Sequence, residues 1–306
     1  MNQEKNNYPK VFIIVLQYNH SEETFKCLDS LQQITYPDFK VIVVDNASDA
    51  KHANSTRLYI KQDFEGKRDF LFISNDNNLG YAGGNNTGIK YAMENNADYV
   101  LILNNDTTVD PDFLNAMVKI AESDKSIGIV QSVIAEEGDK VYAGGPISWL
   151  NPYGQHSTLE PGNHIIESGY YAIGASMLIK RELIEDIGPM DDIYFLYRED
   201  IEYNLRARSK GWTIAIAKRS LIFHEMSVSA GSLGNAKIMY YNYRNMLLLA
   251  EQYAPWYIKF LLPLWVFFTI LKQQLKMFIG RNTEISRMII TALKDYKKRQ
   301  FGQKIF

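Results

Sequence analysis

Four short apolar runs, each halting in amides or acids, pace the first third of the chain. Residues 11–16 (VFIIVL), 41–44 (VIVV), 70–73 (FLFI) and 98–103 (DYVLIL) have strand length and no polar alternation. That pattern predicts strands buried on both faces of a parallel sheet. Helical segments alternate with them. One opens at Ser21 as N-cap with Glu22 and Glu23 in its first turn, and a polar one covers roughly residues 54–64. A third runs to about Asn95, and a fourth opens with Asp110 as N-cap and Pro111 in its first turn. The alternation predicts a doubly wound α/β sheet whose strands all end on one edge. Asp45, Asp76 and Asp106 each stand just after such a strand, so three carboxylates are expected at one crevice.

The strand endings carry the candidate chemistry. The first strand closes in Gln17, Tyr18 and Asn19, and the second in Asp45, Asn46, Ala47, Ser48 and Asp49. The fourth stops in Asn104, Asn105 and Asp106, hard oxygen ligands that suit a divalent cation carrying a phosphorylated guest. Such loops also favour Asn and Asp on turn grounds alone. Residues 75–88 (NDNNLGYAGGNNTG) read as a glycine-rich loop feeding a helix, with free amides for a phosphate. The stretch has neither the Walker pattern nor the dinucleotide Gly-x-Gly-x-x-Gly spacing, which weakens a dehydrogenase reading.

Beyond residues 127–130 the rhythm changes. Residues 143–162 are rich in Gly, Pro and aromatics and read as irregular, substrate-facing structure. Residues 174–176 (GAS) allow tight packing or a closely approaching ligand. A helix is expected from Glu199 to Gly211, opening with Glu199 and Asp200. Paired acids there serve as dipole-favoured capping or as a general base in a cleft. Residues 213–217 and 220–223 read as two short strands, followed by His224 and a Ser/Gly segment able to fold over a ligand. Imidazole would add a borderline ligand suited to Mn2+.

Composition narrows the classes. The 306 residues carry a net charge of −2, which offers no electrostatic case for nucleic acid. A single cysteine, Cys27, rules out an intrachain disulfide and a cysteine zinc site. The N-terminus is polar without a hydrophobic signal region, so a cytoplasmic protein is expected.

Taken together, these pieces resemble family 2 glycosyltransferases of the GT-A fold, and within them the bacterial rhamnosyltransferase-like group. The matching residues are Asp45, the Asn-Asn-Leu-Gly-Tyr-Ala-Gly-Gly-Asn-Asn-x-Gly stretch, Asn104-Asn105-Asp106 in place of Asp-x-Asp, Glu199-Asp200, and His224 with the residues after it. The resemblance implies a GT-A domain over residues 1–235, with a nucleotide-binding half (1–130) and an acceptor half (131–235). It implies inverting transfer from a dTDP- or UDP-sugar, with dTDP-rhamnose the first choice and a UDP-hexose or UDP-N-acetylhexosamine the alternative. Gln17, Asn19, Asp45, Asp76, Gly80, Asn85, Asn104 and Asn105 would bind the nucleotide. Asp106 and His224 would hold Mn2+ or Mg2+, and Asp200 would be the base with Glu199 in support. Asn104 replaces the first acid of the usual motif, and an amide there lowers metal affinity. A nucleotidyltransferase-like enzyme and a non-catalytic sugar-binding subunit are the competing readings.

Residues 236–306 read as a helical C-terminal region. Its apolar run, 260–271, is too short for a span of about 20 residues. Flanking Lys259, Lys272 and Lys276, with Trp256, Tyr257 and Trp265, suit a helix lying in a membrane interface. Basic residues near the end, 294–299, favour anionic lipid. A peripheral position at the inner face of the cell membrane is expected, with a lipid-linked acceptor; a homodimer contact is the alternative use of this helix.

Overall fold

The computed structural model describes residues 8–63, 70–136, 140–153, 157, 164–224 and 234–306. The strands β1 (Val11–Gln17), β2 (Phe39–Asp45), β3 (Phe70–Ser74) and β4 (Tyr99–Asn104) pair in parallel in the order β3-β2-β1-β4. Alternate residues of β1 enter two different cores, as a doubly covered strand requires. Val11, Ile13 and Val15 pack with Leu28 and Leu31 of α1 (Ser21–Leu31) and with Met117 of α4 (Phe113–Ala121). Phe12 and Ile14 pack with Ala82, Ile89 and Ala92 of α3 (Gly80–Glu94). After α2 (Ala50–Asp63) and β3 the chain returns through α3 to the far side of β1. The order therefore reverses between β1 and β4, the place where open α/β sheets bind ligands.

The sheet continues through β10 (Ser176–Lys180), which is antiparallel to both β4 and β6 (Ile127–Glu136). Next to β6 lies β11 (Thr213–His224), with β5 (Thr107–Val109) at the edge and β7 (Lys140–Tyr142) also on β6. A separate hairpin joins β8 (Gly145–Pro146) and β9 (Tyr170–Tyr171). The helices α5 (Arg181–Ile187) and α6 (Glu199–Ser209) lie between β10 and β11 in the chain. Three helices finish it: α7 (Asn235–Tyr253), α8 (Trp256–Phe278) and α9 (Thr283–Lys297).

Several local expectations are corrected. The glycine-rich stretch is not a loop: α3 begins at Gly80 and contains most of it. Its glycines let the helix lie close on the sheet, since a Cβ at Gly84 would stand 2.5 Å from Leu16 and one at Gly88 2.7 Å from Ile14. Ser21 is the first residue of α1 rather than its cap; His20, in a left-handed conformation, precedes it. Asp110 does not cap α4, which starts three residues later behind Asp112. The Asp110 carboxylate accepts the Asp112 N–H instead, at 2.9 Å. The two short strands after Gly211 are one, with a register break between Ala217 and Leu221 against β6. The Ser/Gly segment after His224 and parts of the irregular stretch, 154–156 and 158–163, lie outside the described residues.

Candidate active site

Register alone aligns the strand ends. Gln17 is level with Asp45, and Leu16 with Asn104, so these polar ends share one edge. With strands about 4.8 Å apart, Asp45 and Asn104 stand on the order of 10 Å from each other, the scale of a nucleotide.

Asp45 is buried at the β2 end. Its Oδ1 accepts from Gln17 Nε2 at 2.9 Å, and its Oδ2 from the Ser48 N–H at 3.2 Å. Thr56 donates to Gln17 Oε1 at 2.7 Å, which fixes the amide so that its nitrogen faces Asp45. Two carboxylate oxygens offer more acceptor sites than these donors fill, so capacity remains for a ligand N–H. Asn19, at φ 58°, ties the β1 end to the same loop. Its N–H donates to Ser48 Oγ and its Oδ1 accepts from the Asp49 N–H.

The amides at the start of α3 are not free for a phosphate, which corrects that part of the sequence reading. The Leu79 N–H donates to Asn46 Oδ1, Gly80 N–H to Asn78 Oδ1, and Tyr81 N–H to the Phe195 carbonyl at 2.6 Å. Gly80 serves this approach: at φ 74° a Cβ would fall 2.2 Å from the Phe195 oxygen. Asn85 is buried within α3, its amide donating to the Tyr81 carbonyl. Asn105 turns inward and donates to Thr24 on α1 at 3.0 Å. Asp76 stands exposed beyond β3.

Tyr81 is the hub that residue-type reasoning did not single out, although it sits inside the glycine-rich motif. Its hydroxyl lies 3.1 Å from Asn104 Oδ1 and 2.7 Å from the Gly174 carbonyl. Burial first, then the charges of Glu199, Asp200 and Asp106, hold its pKa well above the ordinary phenol value. The three acids therefore all lie near enough to act on one side chain. Asp200 accepts the N–H groups of Gly174 (3.2 Å) and Ile201 (2.8 Å), so the small-residue turn at 174–176 carries the acid. Burial raises its pKa against those two donors. Burial and the neighbouring Asp200 push Glu199 up to about 8.

At the sheet edge, β5 and β11 bring Asp106 and His224 together, with His224 Nε2 3.2 Å from Asp106 Oδ1. Glu136 follows at 3.9 Å from His224 Nδ1 and accepts from the Tyr142 hydroxyl. Burial opposes the imidazolium, but Asp106 and Glu136 outweigh it and raise the His224 pKa. Among the described residues, Asp106 Oδ1, both His224 nitrogens and Glu199 Oε2 are buried without a hydrogen bond of proper geometry. Such atoms are costly unless a ligand engages them. An oxygen and an imidazole nitrogen facing one another fit a divalent cation. No group of three or more His, Cys, Asp or Glu able to hold an ion occurs among the described residues, so the diphosphate and water would complete its shell.

A sheet reversing at β1/β4, with acids at its carboxyl edge, is the GT-A architecture, and solved structures share it. The chain superposes on GalNAc-T7 with UDP, GalNAc and Mn2+ at TM-score 0.67 and 15% identity, covering 96% of this chain and 56% of that one. It superposes on a mannosyltransferase from Pyrobaculum calidifontis with GDP-Man and Mn2+ at TM-score 0.56 and 16% identity, covering 96% of this chain and 84% of that one. The family model Glycosyl transferase family 2 matches residues 12–188, and the chain belongs to that family. It is a glycosyltransferase. Among its relatives, a low-salt glycan biosynthesis hexosyltransferase of Haloferax volcanii is 26% identical over 242 residues, 78% of this chain and 75% of the relative. An N-acetylglucosaminyl-diphospho-decaprenol L-rhamnosyltransferase of Mycobacterium tuberculosis is 21% identical over 273 residues, 80% and 85% of the two chains.

Proposed function

We propose that the chain transfers a sugar with inversion, best L-rhamnose from dTDP-rhamnose, to a saccharide carried on a lipid diphosphate in cell-surface polysaccharide assembly. The observation that carries the site reading is the cluster of buried polar groups in which Asp106 Oδ1 faces His224 Nε2 at 3.2 Å and Glu199 Oε2 has no hydrogen bond, with Asp106 and Glu199 both acting on Tyr81. A crevice gathering this many acids repels a diphosphate, and a divalent cation between them reverses that repulsion. Asp106 and His224 would hold Mn2+ or Mg2+, which supplies Lewis-acid stabilisation of the departing diphosphate. Asp45 accepts the N3–H of the base, held in place by Gln17 and Ser48. Asn104 faces the sugar-nucleotide, already engaged by Tyr81.

Asp200 takes the proton of the acceptor hydroxyl as its oxygen attacks the anomeric carbon. The bond to the diphosphate breaks and the nucleoside diphosphate leaves with the electron pair. A carboxyl raised by burial is a stronger base than a solvated one, which suits this task. Glu199 supports it from the adjoining position.

The lipid-linked acceptor is supported by the name of the mycobacterial relative and by α8. This helix is longer than the apolar run, 23 residues, and meets the length and composition needed to cross a membrane. Its Thr269 and Gln273 are nonetheless buried against the protein, with Ser286 of α9 donating to Gln273 at 2.9 Å. Trp256, Phe260, Phe267 and Phe268 face outward. One stripe docked and the other bare fits a helix lying in the membrane interface at the cytoplasmic face rather than spanning it.

A thermal-shift screen of dTDP- and UDP-sugars with Mn2+ or Mg2+ tests the donor. The largest shift is expected from dTDP-rhamnose, and a larger one from a UDP-sugar replaces rhamnose by that sugar. Product analysis then separates the classes. Free nucleoside diphosphate supports transfer, released pyrophosphate supports a nucleotidyltransferase, and binding without turnover supports a sugar-binding subunit.

A further inference from the structure

We propose that Arg244 and Asn245 on α7 are positioning residues for the acceptor-side acids, so that the C-terminal helices complete the active site. The proposal rests on the reading of Glu199 and Asp200 given above. It starts from the backbone that delivers them. Phe195, Tyr197 and Arg198 lie at φ 62°, 68° and 79°, three non-glycine residues at positive φ within four positions. Such conformations are strained for residues with a Cβ and persist only where the surroundings over-determine them.

Asn245 supplies that determination. Its side-chain nitrogen stands 2.8 Å from the Tyr194 carbonyl, 2.8 Å from that of Leu196 and 2.9 Å from that of Tyr197. Three carbonyls of the strained segment therefore converge on one NH2 group. Arg244 Nε donates to Asn245 Oδ1 at 3.0 Å, which leaves the nitrogen as the end that faces the segment. Arg244 Nη2 adds a bond to the Tyr194 carbonyl at 3.2 Å, and Nη1 holds Gly302 of the tail at 2.8 Å. The guanidinium packs against the rings of Tyr240 and Tyr241, 5.3 and 5.1 Å from their centres. Both residues are fully buried.

From the other side, the Phe195 carbonyl receives the Tyr81 N–H, so the held segment bridges α7 and the crevice hub. The next residue, Arg198, donates to the Asn151 and Pro152 carbonyls, and Glu199 and Asp200 follow directly. A displacement of the segment therefore moves the acids relative to Tyr81 and Gly174. It leaves Asp45, on β2, where it is.

The test uses the full chain, dTDP-rhamnose or the donor that exceeds it in the screen, and decaprenyl-diphospho-N-acetylglucosamine as acceptor. Asn245→Ala is expected to lower kcat at least 30-fold while the Kd of the nucleoside diphosphate stays within threefold. Leu293→Ala, which removes buried bulk from α9 but no bond to the segment, lowers Tm at least as much and keeps kcat within threefold. Where Asn245→Ala does not fold, Arg244→Lys gives the same split, because an ammonium cannot orient Asn245 and bind Tyr194 together. In an Asp200→Asn background either variant adds less than threefold, as expected when the effect passes through that acid. A folded Asn245→Ala with kcat within threefold of the parent overturns the proposal, as do parallel losses of kcat and nucleotide affinity. Full additivity with Asp200→Asn overturns it as well. Unchanged turnover in Asp200→Asn alone refutes the base reading instead.

Discussion

Asp45 is placed to serve in the proposed role of a base-reading group. It is buried, yet its two donors, Gln17 and Ser48, leave acceptor capacity toward the crevice. Asp45→Asn replaces an acceptor by a donor there and sets it against Gln17. Donor affinity is expected to fall about 10–100-fold with kcat at saturating donor little changed, as read by calorimetry and initial rates. Glu199 makes a different prediction. Its folded-state pKa, about 8, lies above the ordinary carboxyl value, so the folded protein binds this proton more tightly than the unfolded chain. The stability tied to it is full below the unfolded pKa and is lost as pH rises through about 8. Glu199→Gln is expected to flatten the fall in Tm between pH 5 and 8, and an unchanged slope would show that Glu199 is ionised throughout. The acids themselves were legible in the sequence because each follows a strand or opens a helix. Their partners were not, since Tyr81, Thr56 and Asn245 look like ordinary core or helix residues until the fold brings them near.

At the scale of elements, the strands β1 to β4 were plain from unbroken apolar runs, because a strand covered on both faces has no polar side to hide. The glycine-rich segment was misread for a physical reason. Glycine disfavours helix by about 1 kcal/mol each, and here tertiary packing overrides that preference by seating α3 on Leu16 and Ile14. The position that needs glycine most is Gly80. Gly80→Ala puts a methyl into the Phe195 carbonyl at a positive φ, and is expected to cost more than about 2 kcal/mol in urea unfolding. Gly211→Ala also has positive φ, but no neighbour lies within 4 Å. It is expected to cost only the conformational part, about 1 kcal/mol. Equal losses would mean that contact with the 195–198 segment is unimportant.

At the scale of the whole molecule, charge is divided along the chain. Residues 256–306 contain ten Lys or Arg and two Asp or Glu, a net of +8, which leaves −10 for residues 1–255 of the total −2. Under the proposed interfacial attachment, a basic end beside the bare apolar stripe of α8 would orient the protein on an anionic surface, each nearby cation adding about 1 kcal/mol. Co-sedimentation with phosphatidylglycerol vesicles is expected to exceed that with phosphatidylcholine. It should weaken at high salt and be lost in Phe260→Glu/Phe267→Glu; equal binding to both vesicle types would contradict interfacial attachment. The polarity of the tail was legible from composition, whereas the grip of α7 on the 194–197 segment was not, because Arg244 and Asn245 act across some fifty residues of sequence. The central claim, that one crevice both grips the activated sugar and deprotonates its recipient, is tested most directly in Asp200→Asn, with donor-nucleotide binding and transfer measured on the same sample. Transfer reduced about 10²–10⁴-fold with the nucleotide Kd within threefold is the expected result. Full transfer, or loss of both together, would contradict it.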